Sequence, residues 1–341
     1  MKILFKGEGR PQRFKLPHCW AAVACLAFIW SLGCASNTSR TIAVIPRTSG
    51  TMLWEPEHGG AQTAAHETGI RIYWNAPTRE DDVGGQVALI ERVIAGNYQG
   101  LVLAPDQALA LITPVRRAVA HGLPTVIIGS PMPIPAGDKL FYILNDEEEG
   151  GRIAARRVGL LLHGRGTIAI LGINPDITGI MTRARSFEQF LVENYPDIHI
   201  VEKRMGSFSV PHEQQMAEET LKSNPGLNAI VALMWTSVRG VISTIDSSPG
   251  SRPIKVIGFD PDGLPFDAKH LDSVVVQNTR EMGDRAVRLL DAQFHGRSVP
   301  SLIKLEPVLV TRENVNSDEV RSMTSMDWRA GSLHANWSIN P

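Results

Sequence analysis

Short unbroken aliphatic runs trade places with longer stretches of helical spacing through most of this chain, and the alternation predicts its elements. Residues 41–45 (TIAVI) are apolar and β-branched, a strand. A polar loop follows at 47–51, then a stretch of helical spacing, then a second strand at 70–74 (IRIYW). Strand, helix and parallel strand make one right-handed unit. Residues 81–95 place Val83, Val87, Ile90, Val93 and Ile94 at helical spacing. Strands are expected at 100–104, 124–129 and 140–144, with a helix over 107–121.

A second series of the same kind begins at Asp146, which can cap a helix predicted over 147–163. Glu147, Glu148 and Glu149 fall in the first turn of that helix, where the dipole favours anions, and this reading is preferred to metal binding. Strands at 167–171, 198–201, 229–233, 254–258 and 273–276 alternate with helices at 182–194, 211–223 and 237–246. A helix over 281–294 leads back towards the first half, 303–310 is extended, and 317–341 show no clear period. Such alternation is the signature of parallel sheets covered on both faces. The fold class expected is α/β, two doubly wound parallel-sheet lobes, with crossings near 145, 277 and 308. Open parallel sheets bind ligands at their carboxyl edges, where the 47–51 loop falls.

Charge changes the picture at the N-terminus. The chain has 341 residues and net charge −1, but residues 1–33 hold five Lys or Arg against Glu8, which leaves −5 for the rest. A mildly acidic body argues against nucleic acid as a partner. The basic start precedes an apolar run of roughly 15 residues, shorter than the 20 a spanning helix needs, so 1–33 read as a signal peptide. The run ends in Ser31-Leu32-Gly33-Cys34, which resembles a bacterial lipobox, with Leu two rather than three before the cysteine. Cys34 is thus the candidate lipidation site and membrane anchor, against ordinary cleavage near Ser36 or retention as an anchor. Residues 34–40 read as a tether. With Cys19, Cys25 and Cys34 the only cysteines, the body can hold neither a disulfide nor a thiolate metal site.

Motifs for catalysis are weak. Asp260-Pro-Asp-Gly263 starts like a calcium loop without its later ligands and reads as a turn. Gly164-Arg-Gly166 precedes a strand instead of following one, so it is no dinucleotide fingerprint. There is no His pair at zinc spacing, no Gly-x-Ser-x-Gly elbow and no phosphate-binding loop. A non-enzyme without metal or cofactor is expected.

The strand, polar loop and Trp54 at the foot of the first helix resemble the opening of the sugar-binding type I periplasmic binding proteins, the ribose- and galactose-binding kind. Asn145-Asp146, Met181-Thr-Arg-Ala-Arg185, Gly258-Phe-Asp260 and Gln277-Asn278 followed by Glu281-Met-Gly283 extend the resemblance, which runs from about 41 to 313. It implies a hinge of three crossings between an N-terminal lobe (41–145 plus 278–308) and a C-terminal lobe (146–277 plus 309–320), leaving 321–341 as a tail. It implies ligand contacts at Arg47, Thr51 and Trp54, at the crossing residue Asn145, at Arg183, Phe208 and Asp260, and at the last crossing, Gln277. The plain alternatives are a solvated cation for Arg47, a core staple for Trp54 and hinge bracing for Gln277; Arg185 should serve structural ion pairs instead. Where the ribose type is polar, this chain has Thr51, Ala104, Gly129 and Met234, with Trp235 adjacent, so a ligand that is less hydroxylated, larger or more loosely held is expected. The function implied is that of a monomeric periplasmic or envelope solute-binding protein serving an ABC import permease with a sugar-like ligand. The alternative is a sensing module that signals to a receptor kinase or chemoreceptor. A related repressor would need a helix-turn-helix where the signal peptide stands.

Overall fold

The computed structural model describes residues 40–247, 253–260, 262–263, 266 and 268–327. The signal peptide, the Cys34 site and the tail tryptophans Trp328 and Trp337 lie outside them.

Two six-stranded sheets organise the chain. In the first, β1 (Thr41–Ile45), β2 (Arg71–Trp74), β3 (Gly100–Leu103), β4 (Thr125–Gly129), β5 (Leu140–Asn145) and β11 (Leu302–Leu305) are ordered 11-5-4-3-1-2, all parallel. The second contains β6 (Arg165–Ile173), β7 (Asp197–Met205), β8 (Ala229–Ala232), β9 (Lys255–Phe259), β10 (Leu271–Val276) and β12 (Val308–Thr311), ordered 12-10-9-8-6-7. Here only β12 runs antiparallel, against β10. Central strands such as TVIIG and AIVA are buried throughout because helices cover both faces. The longer β7, at an edge, alternates exposed and covered positions instead.

The helices of the first lobe are α1 (Glu55–Thr68), which follows a 3-10 turn at Met52–Trp54, then α2 (Val83–Ala95) and α3 (Ile112–Ala120). Those of the second are α4 (Glu147–Leu161), α5 (Thr178–Asn194), α6 (Val210–Ser223) and α7 (Trp235–Asp246). The helix α8 (Thr279–Phe294) returns to the first lobe, where Met282, Ala286, Val287 and Leu290 join the core of Ile42, Val44, Val102 and Val126.

Helix ends differ from the pattern-based reading at several points. α3 starts at Ile112 instead of 107, with Pro114 in its first turn, where a missing N–H costs nothing. α5 starts four residues early, at Thr178, because Ile177 and Ile180 are buried in the second lobe's core. The extended stretch 303–310 divides into β11 and β12, one in each sheet. A short helix, α9 (Asp318–Thr324), lies where no period is readable; Ser317 caps it, and Val320 and Met323 carry its burial. The chain passes between the sheets at β5 to α4, at β10 to α8 and at β11 to β12, which is the three-crossing hinge. Asn145 and Gln277 face each other across the first two passages, and Nδ2 of Asn145 donates to Oε1 of Gln277.

Candidate functional site

Loops at the carboxyl edges of the two sheets face each other and enclose a cavity of about 40 Å³. At 10–15 Å³ per water this has room for roughly three. The first lobe contributes Arg47, Trp54, Glu80 and Ser130; the hinge contributes Asn145, Gln277 and Thr279. Glu147, Arg183, Phe208, Met234, Trp235 and Asp260 come from the second lobe.

Arg183 is the centre of the second-lobe wall. It projects from α5 with almost no exposure, and burial alone would depress its pKa. The carboxylates of Asp260 and Glu147 outweigh that effect and hold the guanidinium above its ordinary range. Its Nε donates to Oε2 of Glu147 at 2.6 Å and its Nη2 to Oε1 at 2.7 Å, a two-pronged pairing. Its Nη1 donates to the Leu233 carbonyl at 3.1 Å and to Oδ2 of Asp260 at 2.6 Å. Of five N–H donors, four are thereby taken. The expectation that Arg183 offers its fork to a ligand therefore needs correcting: the fork grips Glu147, and one N–H remains.

Asp260 follows β9 in a left-handed conformation, φ +46°, uncommon outside glycine and best tolerated by Asp and Asn. Its Oδ2 accepts from Arg183 and, at 3.0 Å, from Nε2 of Gln277, while its buried Oδ1 has no partner. Burial pushes its pKa up; Arg183 pulls the other way. Gln277 also donates to Oε1 of Glu147 at 3.0 Å, so one hinge amide ties together both carboxylates and Asn145. The hinge-bracing alternative for Gln277 is met, and the residue borders the cavity as well. Asn145 keeps a buried Oδ1 without a partner.

On the first-lobe side Arg47 is half-buried and held. Its Nε donates to the Pro105 carbonyl at 3.0 Å, its Nη2 to Oγ of Ser130 at 3.1 Å, and it stands 5.6 Å over the Trp54 ring. It is not a solvated cation. Trp54 belongs to the first lobe's core and to the cavity wall at once, and its indole N–H has no completed hydrogen bond. Burial pushes the Glu80 carboxyl up to about 7, with Arg47 opposing. Across the cleft, Trp235 donates its indole N–H to Oε2 of Glu80 at 3.4 Å, while Oε1 is unpartnered.

Of the residues singled out from sequence, Arg47, Trp54, Asn145, Arg183, Phe208, Met234, Trp235, Asp260 and Gln277 come together around one cavity. Thr51 does not: its Oγ1 accepts from the Leu53 amide at 3.0 Å, starting the 3-10 turn, and it lies outside the lining. Arg185 is exposed and makes no ion pair among the described residues, contrary to the structural pairs expected of it. Sequence reasoning missed Glu80 and Glu147. Glu80 was findable, because the loop after β2 opens at the same sheet edge as the loop after β1. Glu147 is masked by its place in an acidic first turn.

The profile of the periplasmic binding protein domain matches residues 42–298. The D-allose-binding periplasmic protein of Escherichia coli K12 is 24% identical over 76% of this chain and 86% of its own length. The ribose import binding protein of Bacillus subtilis 168 is 24% identical over 74% and 81%. Among solved structures, an ABC transporter solute-binding protein from Agrobacterium vitis, bound with α-D-tagatopyranose, superimposes with a TM-score of 0.78 at 24% identity, covering 84% of this chain and 99% of that one. A carbohydrate transporter solute-binding protein from Agrobacterium radiobacter, in complex with D-arabinose, gives 0.77 at 23%, covering 85% and 100%. With the profile spanning both lobes of this α/β fold, the chain belongs to the periplasmic binding protein family.

Proposed function

We propose that this protein is a non-catalytic, extracytoplasmic binding protein that closes around a monosaccharide-like solute and delivers it to an ABC import permease. The observation that carries the reading is a set of buried polar atoms converging from both lobes and the hinge: Oδ1 of Asp260 and Oδ1 of Asn145, which have no partner, and the Glu80 carboxyl and Trp54 indole N–H, which meet each other only in a loose contact. Each such atom costs roughly 1–3 kcal/mol when left unpaired. A polyhydroxylated ring supplies hydroxyl donors for the carboxylates and the amide oxygen, and an acceptor for the indole. The faces of Trp54 and Phe208 suit its C–H surface. A cavity of about 40 Å³ is too small for a pyranose, so the lobes part to admit one and settle around it. Relatives that bind allose, ribose and apiose support the class of ligand, and the apiose and ribose proteins, being import binding proteins, favour delivery over sensing. In this reading the mature protein is a monomer anchored through Cys34, its lobes built from 41–145 plus 278–308 and from 146–277 plus 309–320.

The test is a thermal-shift screen of residues 35–341 against D-ribose, D-allose, D-apiose, D-tagatose and D-arabinose. Stabilisation by at least one is expected, about 2.7 kcal/mol at a hundredfold excess over Kd. No shift with any sugar at millimolar concentration overturns the reading. Anchoring is checked separately: labelled palmitate should enter the intact protein and be absent from Cys34→Ala.

A further inference from the structure

Beside the small cavity lies a larger one. A chamber of about 250 Å³ sits between the 3-10 turn, the hinge and the C-terminal helix α9. Among the described residues its walls are mostly apolar: Met52, Leu53, Pro56, Val276, Met323 and Met326. Leu53, Asp260, Gln277 and Thr279 line this chamber and the small cavity alike, so the two spaces meet at the carboxylate that holds an unpartnered oxygen. Two of the chamber's methionines are also among the few large apolar side chains the fold leaves in water: Met52 is 54% exposed and Met326 45%. Such exposure is costly unless something covers it, and Met is the side chain that best adapts to irregular apolar partners.

From this arrangement we infer that the ligand is amphiphilic: a hydroxylated ring in the cleft, carrying through its linking oxygen an apolar substituent that lies in the methionine-lined chamber. The inference rests on the sugar-binding reading and narrows it to alkyl- or aryl-substituted sugars. Size supports it. A cavity of about 150 Å³ lined by aliphatic side chains takes a benzene; this chamber exceeds that. Chemistry supports it too. Gly129 and Met234, at the polar cavity's wall, supply no side-chain hydrogen bonds where a fully hydroxylated ligand would need them, so binding free energy must come from elsewhere. Apolar area is what the chamber offers, and its continuity with Asp260 sets the attachment point next to a hydroxyl-binding group.

The experiment compares, by calorimetry on the mature chain, each free sugar of the screen with its methyl, butyl, hexyl and phenyl glycosides in both anomers. Each methylene buried should tighten binding roughly fourfold, levelling off once the chamber is filled. In Met52→Gln and Met326→Glu the advantage of the hexyl glycoside should fall several-fold while the parent sugar binds as before. Both positions are exposed enough to accept a polar group without unfolding the protein. If a parent sugar binds and no glycoside improves on it, the chamber is not part of the site and the inference fails while the sugar-binding reading stands. A glycoside advantage that survives both variants equally overturns it, because the substituent then lies elsewhere. If neither sugars nor glycosides bind, the sugar-binding reading itself is lost, and this inference with it.

Discussion

Arg183 stands between two carboxylates in a space with almost no water, so its removal should act on the fold before it acts on any ligand. Breaking one partner out of a buried charge group costs roughly 3–5 kcal/mol, because the remaining charges are left uncompensated. Glu147 and Asp260 would then face each other across the gap that Arg183 fills. Arg183→Ala should therefore lower unfolding free energy by about that amount in urea titrations, and Arg185→Ala, exposed two residues on, should stay within about 0.5 kcal/mol of the parent. Asp260→Ala tests the other side of the pair: loss of the unpartnered oxygen should weaken sugar binding by about 2–4 kcal/mol in calorimetry. Proton linkage gives a second residue-scale expectation. Burial raises Glu80 from 4.5 to about 7 and Asp106 from 3.8 to about 6. A raised carboxyl pKa means the folded state holds the proton more tightly, so this stabilisation is complete below the unfolded pKa and is lost as pH climbs through the folded one. The melting temperature should fall between pH 5 and 8, and Glu80→Gln should flatten the upper part of that decline. Residues of this kind also mark the limit of what a sequence discloses about a site. Asp260 is legible because it ends a buried strand at the binding edge. Glu147 is not: first-turn placement explains it fully until α5 delivers Arg183 from 36 residues away.

Helices in this fold meet at close range, and glycine sets the distance. Where α1 crosses α8, a Cβ on Gly283 would overlap the Glu57 carbonyl, and where α4 crosses α5, a Cβ on Gly151 would overlap the Arg183 carbonyl. Because the obstacle is backbone in both cases, relief requires the helices to separate. Gly283→Ala should thus destabilise by about 2 kcal/mol or more, against the gain of up to about 1 kcal/mol that Ala brings to a helix. Gly84→Ala, on the exposed face of α2 where only the far end of Asp82 approaches, should show the opposite sign. Thermal melts of the two variants check both. Most of the elements could be read from pattern alone, because a run such as TVIIG buried on both faces has no other home than a central strand. What pattern could not place are the ends governed by tertiary contact. Ile177 and Ile180 extend α5 because a core waits for them, and α9 is a helix because two apolar residues, Val320 and Met323, find one. Its seven residues carry too little periodicity to announce that. The two hinge strands repeat one device. Each leads into an amide side chain, Asn145 at the end of β5 or Gln277 just past β10, followed by a residue that caps the next helix, Asp146 at 2.9 Å from the Glu149 amide and Asn278 at 3.0 Å from that of Glu281.

At the scale of the whole molecule, three hydrogen bonds among the described residues join the two lobes across the cleft without involving the hinge amides Asn145 and Gln277. The Met52 amide donates to Oδ1 of Asp262 at 2.8 Å, Nε2 of Gln107 to Oδ2 of Asp176 at 3.4 Å, and the Trp235 indole to Glu80. The first two involve residues outside the lining of the small polar cavity, so they act on closure without touching a sugar ring held there. Exposed hydrogen bonds contribute on the order of 0.5–1.5 kcal/mol each. A ligand that binds only the closed form has its apparent affinity reduced by the fraction of protein that is closed. Combining Gln107→Ala with Asp262→Ala should therefore weaken sugar binding several-fold, chiefly through faster release, while every contact within the cavity is preserved. Arg239→Ala is the control, since it removes the 3.2 Å ion pair to Asp262 inside the second lobe and leaves the Met52 bond in place. Stopped-flow release rates distinguish these cases, and small-angle scattering gives the structural side. The double variant should be more expanded than the parent without sugar and should contract to the same radius when saturated. Equal radii in the free proteins, with unchanged release, would mean that the hinge network of Asn145 and Gln277 holds the lobes closed without help from the rim.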